Sequence, residues 1–212
     1  VKSLLIVPLK PNASQSMKTL CMEKLDEVRR MYGDSLQIVV DERGSGDAHI
    51  TTHDDRQSHI ARIRQSILND VLQAEHKDVF WMDADIVYFD VRIFQKMMKF
   101  ENAIVAPMVL LNNSKDHLGI TFFYDLAGFI ENGRWANRTA PYLSRNYTVI
   151  EMDSVGAFYK VPARVYHSGA FYYPVAGYTE HYSVCEFARR KLGMKVLCDA
   201  RMEVYHHDLA PM

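Results

Sequence analysis

The sequence predicts an α/β protein with a mostly parallel central sheet flanked by helices on both faces. Three observations predict it. Apolar runs and amphipathic stretches alternate as strand, helix, strand, helix, strand, helix, strand through the first half of the chain. The runs "SLLIVPL", "LQIVV", "DVFWM" and "AIVAPMV" are continuous rather than alternating, as expected of strands buried on both faces. Polar clusters then follow the ends of the first three runs: Pro8-Leu9-Lys10, Asp41-Glu42 and Asp83-Ala84-Asp85. In open α/β sheets ligands bind outside the carboxyl ends of the strands, so these clusters should share one functional rim.

Taken in order, "SLLIVPL" reads as a buried strand closed by Pro8. Asn12 or Ser14 is placed to cap the helix that follows. Met17, Leu20, Leu25, Val28 and Met31 recur at helical spacing before Gly33 stops it. "LQIVVDE" is a second buried strand, and "RGSGDAHITTHDD" is a polar loop. Ile60, Ile63, Ile67, Val71 and Leu72 mark a second amphipathic helix. "DVFWMDADI" is the third strand, "VRIFQKMMKF" a short helix and "AIVAPMV" a fourth strand. Residues 110–150 are polar and irregular, long for a structureless loop, so small strands or a function are expected there. "GAFYKVP" reads as a strand, "EHYSVCEFARRKLG" as a helix ended by Gly193, and "KVLCDARMEVYHH" as a last strand. With no internal repeat or linker, the simplest organisation is one domain in two functional halves, about 1–109 and 110–212. The absent initial Met suggests a piece of a longer chain.

Bulk composition narrows the function. The 212 residues carry 25 basic and 26 acidic side chains, a net charge of -1, which argues against a nucleic-acid partner. The 48% hydrophobic content is ordinary for a globular chain. Cys21, Cys185 and Cys198 are too few and too scattered for a disulfide framework or a zinc site, and read as reduced packing thiols. No apolar run approaches the 18 residues of a membrane span, and "VKSLLIVPLK" is too short for a signal segment, so the expected location is cytoplasmic. The sequons at Asn12, Asn112, Asn137 and Asn146 are then read as chance.

Asp83 and Asp85 need a chemical reason. In an extended strand residues i and i+2 point the same way, so the two carboxylates would converge at the strand's end. Carboxylates so close repel unless a positive group lies between them. Mg²⁺ is commonly held by one or two carboxylates plus substrate phosphates, and Mn²⁺ also accepts imidazole. The reading is a metal bridging the protein to a diphosphate; the competing one is a strand-end turn whose acids are merely solvated.

Several stretches resemble one family. "VPLK", "RIRQSIL", "WMDADIV", "MDSVGAF" and "EVYHHD" are similar to segments of GT-A-type glycosyltransferases, and among these to the fungal Golgi mannosyltransferases of the mannan polymerase type. A glycosyltransferase domain of a large algal virus, acting on a capsid protein, is a similar soluble relative. The match departs at Ala157, where the family carries a second Gly after Gly156.

The resemblance implies a GT-A fold and metal-dependent transfer of a sugar from a nucleotide-diphosphate donor, a UDP-sugar by analogy, to a glycan or glycoprotein acceptor. It implies Mn²⁺ or Mg²⁺ on Asp83, Asp85 and a late histidine, His206, with His207 the near alternative. Asp83 would also contact the donor ribose. Pro8, Leu9, Lys10 and Asp41 would hold the base and ribose, with Glu42 next. Arg62 and Arg64 match basic positions of the family. Being two apart on a helix they face different ways, so only one easily reaches a diphosphate; Arg56 reads equally well as a solvated side chain. Two acids compete for chemistry near the sugar: Asp153, favoured for donor-sugar contact, and Glu180, a candidate base. Retention is the favoured outcome. Phe171, Tyr172, Tyr173, Tyr178 and Tyr182 would stack on acceptor sugars or simply pack the core. A phosphatase of the haloacid-dehalogenase type and a non-catalytic nucleotide-sugar scaffold are the competing functions. The phosphatase family carries its acid pair on the first strand, followed by a small hydroxyl residue, whereas here it follows the third strand and precedes Ile86-Val87.

Overall fold

The computed structural model describes residues 2–10, 12–43, 52–111, 128–135 and 149–207. In chain order the elements are β1 (Lys2–Pro8), α1 (Gln15–Tyr32), a single 3₁₀ turn (Gly33–Ser35), β2 (Leu36–Asp41), α2 (His53–Val71), β3 (His76–Met82), β4 (Ile86–Tyr88), α3 (Ile93–Met98) and β5 (Ala103–Leu111). There follow β6 (Ile130–Glu131), β7 (Arg134–Trp135), β8 (Val149–Glu151), β9 (Phe158–Pro162), α4 (Ala163–His167), α5 (His181–Leu192) and β10 (Lys195–His206).

The central sheet has the order β2-β1-β3-β9-β5-β10-β4, with β8 also paired to β10. β1 is parallel to β2 and β3, and β5 is parallel to β10. β9 runs antiparallel between β3 and β5, while β4 and β8 are antiparallel to β10. Strands β1, β2, β3, β5 and β10 therefore share one direction, and the mostly parallel expectation holds. Leu4 to Val7 and Val79 to Met82 are fully buried, as continuous apolar strands should be. β2 departs from expectation. It sits at the sheet edge and covers only one side, so beyond Leu36 its residues are half-buried.

The helices form where the apolar spacing puts them. Ser14 caps α1, its hydroxyl accepting the Met17 N–H at 3.2 Å. Met17, Cys21, Leu25 and Val28 form the buried stripe; Met31 is 44% exposed and lies off it. Thr52 caps α2 by accepting the Asp55 N–H at 3.1 Å. Gly193 ends α5 in the left-handed conformation, φ 61°. The three cysteines are free and buried. No helix among the described residues is long and apolar enough to cross a membrane.

Candidate functional site

The parallel strands deliver their carboxyl ends to one rim. Pro8 is in register with Asp41, and Ile6 with Trp81, so the segments after β1, β2 and β3 emerge side by side. His206, at the end of β10, pairs with Leu111 of β5 and with Ile86 of β4. That pairing brings the last strand back to the acids that follow β3.

Asp83-Ala84-Asp85 is a turn rather than strand, which corrects the extended-strand argument. β3 stops at Met82, and Ile86 N–H returns to the Asp83 carbonyl at 3.0 Å. In the turn the two carboxylates meet different partners. Asp83 Oδ1 accepts from Arg64 Nη2 at 3.1 Å. Asp85 Oδ2 lies 2.9 Å from His206 Nε2. His207 faces the other way, its Nδ1 3.4 Å from the Tyr88 hydroxyl, as strand alternation requires. Its backbone N–H meets the Asp85 carbonyl at 2.8 Å and fixes the end of β10 to the turn.

The other side of Asp83 is held by Ala157, whose carbonyl accepts the Asp83 N–H at 2.8 Å. Ala157 is a buried non-glycine residue with φ 53°, a left-handed conformation that glycine tolerates better. Where the resembled family carries a second glycine, this chain holds an alanine in a conformation that glycine adopts without strain.

Arg64 separates clearly from Arg62. Arg62 is exposed and, among the described residues, reaches His59 at 3.1 Å. Arg64 is buried, lies 5.0 Å from the Trp81 ring, and bridges two acids by donating from Nη2 to Asp83 and from Nε to Glu180 Oε1 at 2.8 Å. Glu180 opens α5 and touches His181 Nε2 at 3.2 Å. From His181 Nδ1 a buried chain continues to the hydroxyls of Tyr159 (3.1 Å), Tyr172 (2.8 Å) and Tyr166 (2.7 Å), and ends on Trp81 Nε1 (3.0 Å). Sequence reading singled out Arg64, Glu180 and Tyr172 separately but not this chain, and it missed Tyr159 and His181.

Burial first, then the charges of Asp85 and Glu180, push Asp83 up to about 6 against the opposing pull of Arg64. Burial also raises Glu180, but His181 and Arg64 outweigh it and leave this carboxyl below its ordinary range. His181 is pushed down to about 4, chiefly by burial.

The remaining candidates lie around this centre. Leu9 N–H donates to the Asp41 carbonyl at 2.8 Å, and the Asp41 carboxylate is clasped by Arg43 at 2.7 Å and 2.8 Å. Lys10 is exposed at the end of β1, and Glu42 and Arg56 are exposed as well. Asp153 is paired with Arg189 and accepts the Gly133 N–H at 2.7 Å, tying the β6–β7 hairpin to α5. Phe171 and Tyr173 are exposed, Tyr172 is buried in the hydroxyl chain, and Tyr178 stacks on Tyr182 at 4.1 Å. Of the four sequons only Asn12, an exposed residue, lies within the described residues. A depression of about 350 Å³ lined by His76, Lys77, Glu101 and Arg164 lies at the opposite rim, away from the acids.

A family model of Anp1 matches residues 10–143, more than half of the chain. The chain belongs to the Anp1 family. The Anp1 match takes in Arg64, Asp83 and Asp85, while Asp153, Glu180 and His206 lie beyond it. No curated protein matches. Among solved structures, GalNAc-T7 with UDP, GalNAc and Mn²⁺ is similar at TM-score 0.54 and 13% identity, over 98% of this chain and 44% of that one. That likeness assigns the GT-A fold, and this Anp1 chain spans less than half of its relative. A nucleotide-diphospho-sugar transferase from Desulfovibrio desulfuricans is similar at TM-score 0.42 and 11% identity, over 98% of this chain and 81% of that one. A glycosyltransferase involved in glycosylation of the PBCV-1 major capsid gives TM-score 0.35 and 12% identity, over 58% and 60%. These two add nothing to the fold assignment.

No group of three or more His, Cys, Asp or Glu side chains converges as a metal cage among the described residues. What converges is the pair Asp85 and His206. Asp85 Oδ1 is buried and has no hydrogen-bond partner among the described residues. A carboxylate oxygen left in that state is costly unless a cation, a hydrogen-bond donor or a water meets it, and a cation suits it best beside an imidazole. One carboxylate and one imidazole suit Mn²⁺, with the remaining positions open to substrate oxygens.

Proposed function

We propose that the protein is a metal-dependent glycosyltransferase that moves a sugar from a nucleotide-diphosphate donor, with a UDP-sugar favoured, to a glycan or glycoprotein acceptor. The observation that carries this reading is the Asp83–Asp85 turn on the carboxyl rim, with Asp85 against His206 and Asp83 against Arg64. Asp85 and His206 would hold Mn²⁺, or less well Mg²⁺, and Asp83 would complete the shell or bind the donor ribose. A bound divalent cation supplies charge neutralisation for the departing diphosphate. Pro8, Leu9, Lys10 and Asp41 would seat the base and ribose, Arg62 or Arg64 the phosphates, and Asp153 the donor sugar. Tyr178 and Tyr182 would offer an aromatic face to the acceptor.

One observation favours retention. Glu180 is buried and held by Arg64 and His181, and Asp153 is held by Arg189. Neither acid is poised as the general base that inversion needs.

The test is release of nucleoside diphosphate from a panel of nucleotide sugars with Mn²⁺ or EDTA. Manganese-dependent release is expected, and Asp85→Asn should lower it at least 100-fold without loss of fold. Release of inorganic phosphate would point to a phosphatase, and binding without turnover to a scaffold. Product NMR should show the donor's anomeric configuration preserved.

A further inference from the structure

Arg64 stands between two carboxylates of different standing. Asp83 lies in the turn at the rim, and its side chain keeps 37% exposure. Glu180 lies behind, its side chain only 4% exposed, where it cannot reach a substrate. The Arg64 side chain is 6% exposed, and its guanidinium gives one nitrogen to each acid. In so dry a position the charge of Arg64 is felt strongly by whatever adjoins it. If Asp83 were its only partner, the two would cancel, and the rim would keep the single charge of Asp85. Glu180 changes that balance. Asp83, Asp85 and Glu180 against Arg64 leave two negative charges, matching one divalent cation. His181, pushed down by burial, stays neutral beside Glu180 and does not disturb the count.

We propose that Glu180 is a positioning residue for the metal site: by holding Arg64 from behind, it leaves Asp83 and Asp85 with the net negative charge that a divalent cation requires. This rests on the metal-dependent reading above. It replaces the role of general base, for which Glu180 is too deeply buried. It also gives the buried chain from His181 to Trp81 a purpose. That chain fixes His181, and His181 fixes the carboxylate that holds Arg64.

The experiment is a titration of the intact chain with Mn²⁺, alone and with UDP or GDP, followed by the electron paramagnetic resonance of free Mn²⁺. Glu180→Gln is expected to weaken Mn²⁺ on the order of tenfold, from the charge removed. Its turnover should return as Mn²⁺ is raised, which loss of a base would not allow. The double variant Arg64→Gln/Glu180→Gln restores two net negative charges, and its Mn²⁺ affinity should return to near that of the wild type. Arg64→Gln alone should bind Mn²⁺ more tightly than the wild type, a direction that a folding defect does not produce. Unchanged Mn²⁺ affinity in Glu180→Gln with lost turnover overturns the proposal and restores Glu180 as a base, leaving the metal reading intact. A wild-type chain that binds no Mn²⁺ under any of these conditions overturns both.

Discussion

Ala157 and His181 are the two residues beside the acids whose physics is most exposed to test. Ala157 holds φ 53° so that its carbonyl can take the Asp83 N–H. A left-handed conformation costs an L-residue roughly 1–2 kcal/mol, whereas glycine adopts it freely but loses about 0.5–1 kcal/mol to its greater freedom when unfolded. Ala157→Gly should therefore stabilise the fold by up to about 1 kcal/mol in urea unfolding; a loss of stability would mean that the Ala157 methyl is needed where it packs. His181 makes a pH prediction. Its folded value of about 4 lies below the ordinary 6.5, so between these values the unfolded chain binds more protons than the folded one. Its contribution is complete above pH 6.5 and is lost as pH falls toward 4. The shift sets a ceiling of about 3 kcal/mol on that loss. Urea unfolding at pH 7 and pH 5 should show a steep fall for the wild type and a flatter one for His181→Gln. Equal slopes would mean that His181 is not held neutral.

The least foreseeable feature among the elements is β9. Its sequence, "FYKVP", reads as a strand, but periodicity says nothing of direction or neighbours. β9 runs antiparallel in the middle of the sheet and so places Lys160 in the core, fully buried. The Lys160 ammonium donates to the Phe100 carbonyl and lies 3.4 Å from Asp78 Oδ1. Burial lowers the Lys160 pKa, and the Asp78 charge opposes that pull. Breaking such a pair from one side strands a buried charge at roughly 3–5 kcal/mol, while replacing both partners with apolar groups is often neutral. Lys160→Met should thus destabilise strongly, and Lys160→Met/Asp78→Leu should recover most of the loss in chemical denaturation. Additive losses would show that the two charges do not act as a pair. The same contrast explains what could be read in advance. β1, β3, α5 and the Asp83–Asp85 pair are local patterns, written within about ten residues each. The Arg64–Glu180 contact joins residues 116 apart, and no local pattern specifies it. Asp83 and Asp85 stand out in the sequence, but the turn that gives them different partners does not, because i,i+2 alternation applies only while the chain stays extended.

At the scale of the whole molecule, strands from both halves of the sequence share one sheet, so the rim and the fold are thermodynamically coupled. β3 carries the acids to the rim, while β10 carries His206 from the far end of the chain and pairs with β4 just beyond them. A ligand that joins Asp85 to His206 therefore staples together segments separated by about half of the chain, and its binding free energy appears as folding stability. If Asp85 and His206 hold a cation, the protein contributes few of its ligands, and substrate oxygens would complete the shell. Metal and nucleotide should each bind weakly alone and strongly together. At a hundredfold excess over Kd the pair would add about 2.7 kcal/mol, which for a chain of this size raises Tm by about 5–10 °C. Thermal unfolding should show little shift with Mn²⁺ alone or with UDP in EDTA, and a much larger shift with both. Asp85→Asn and His206→Ala should each abolish the joint shift while leaving the ligand-free Tm close to that of the wild type. If the two single shifts simply add to the joint one, metal and diphosphate occupy independent sites, and the bridge between Asp85, His206 and the donor does not exist.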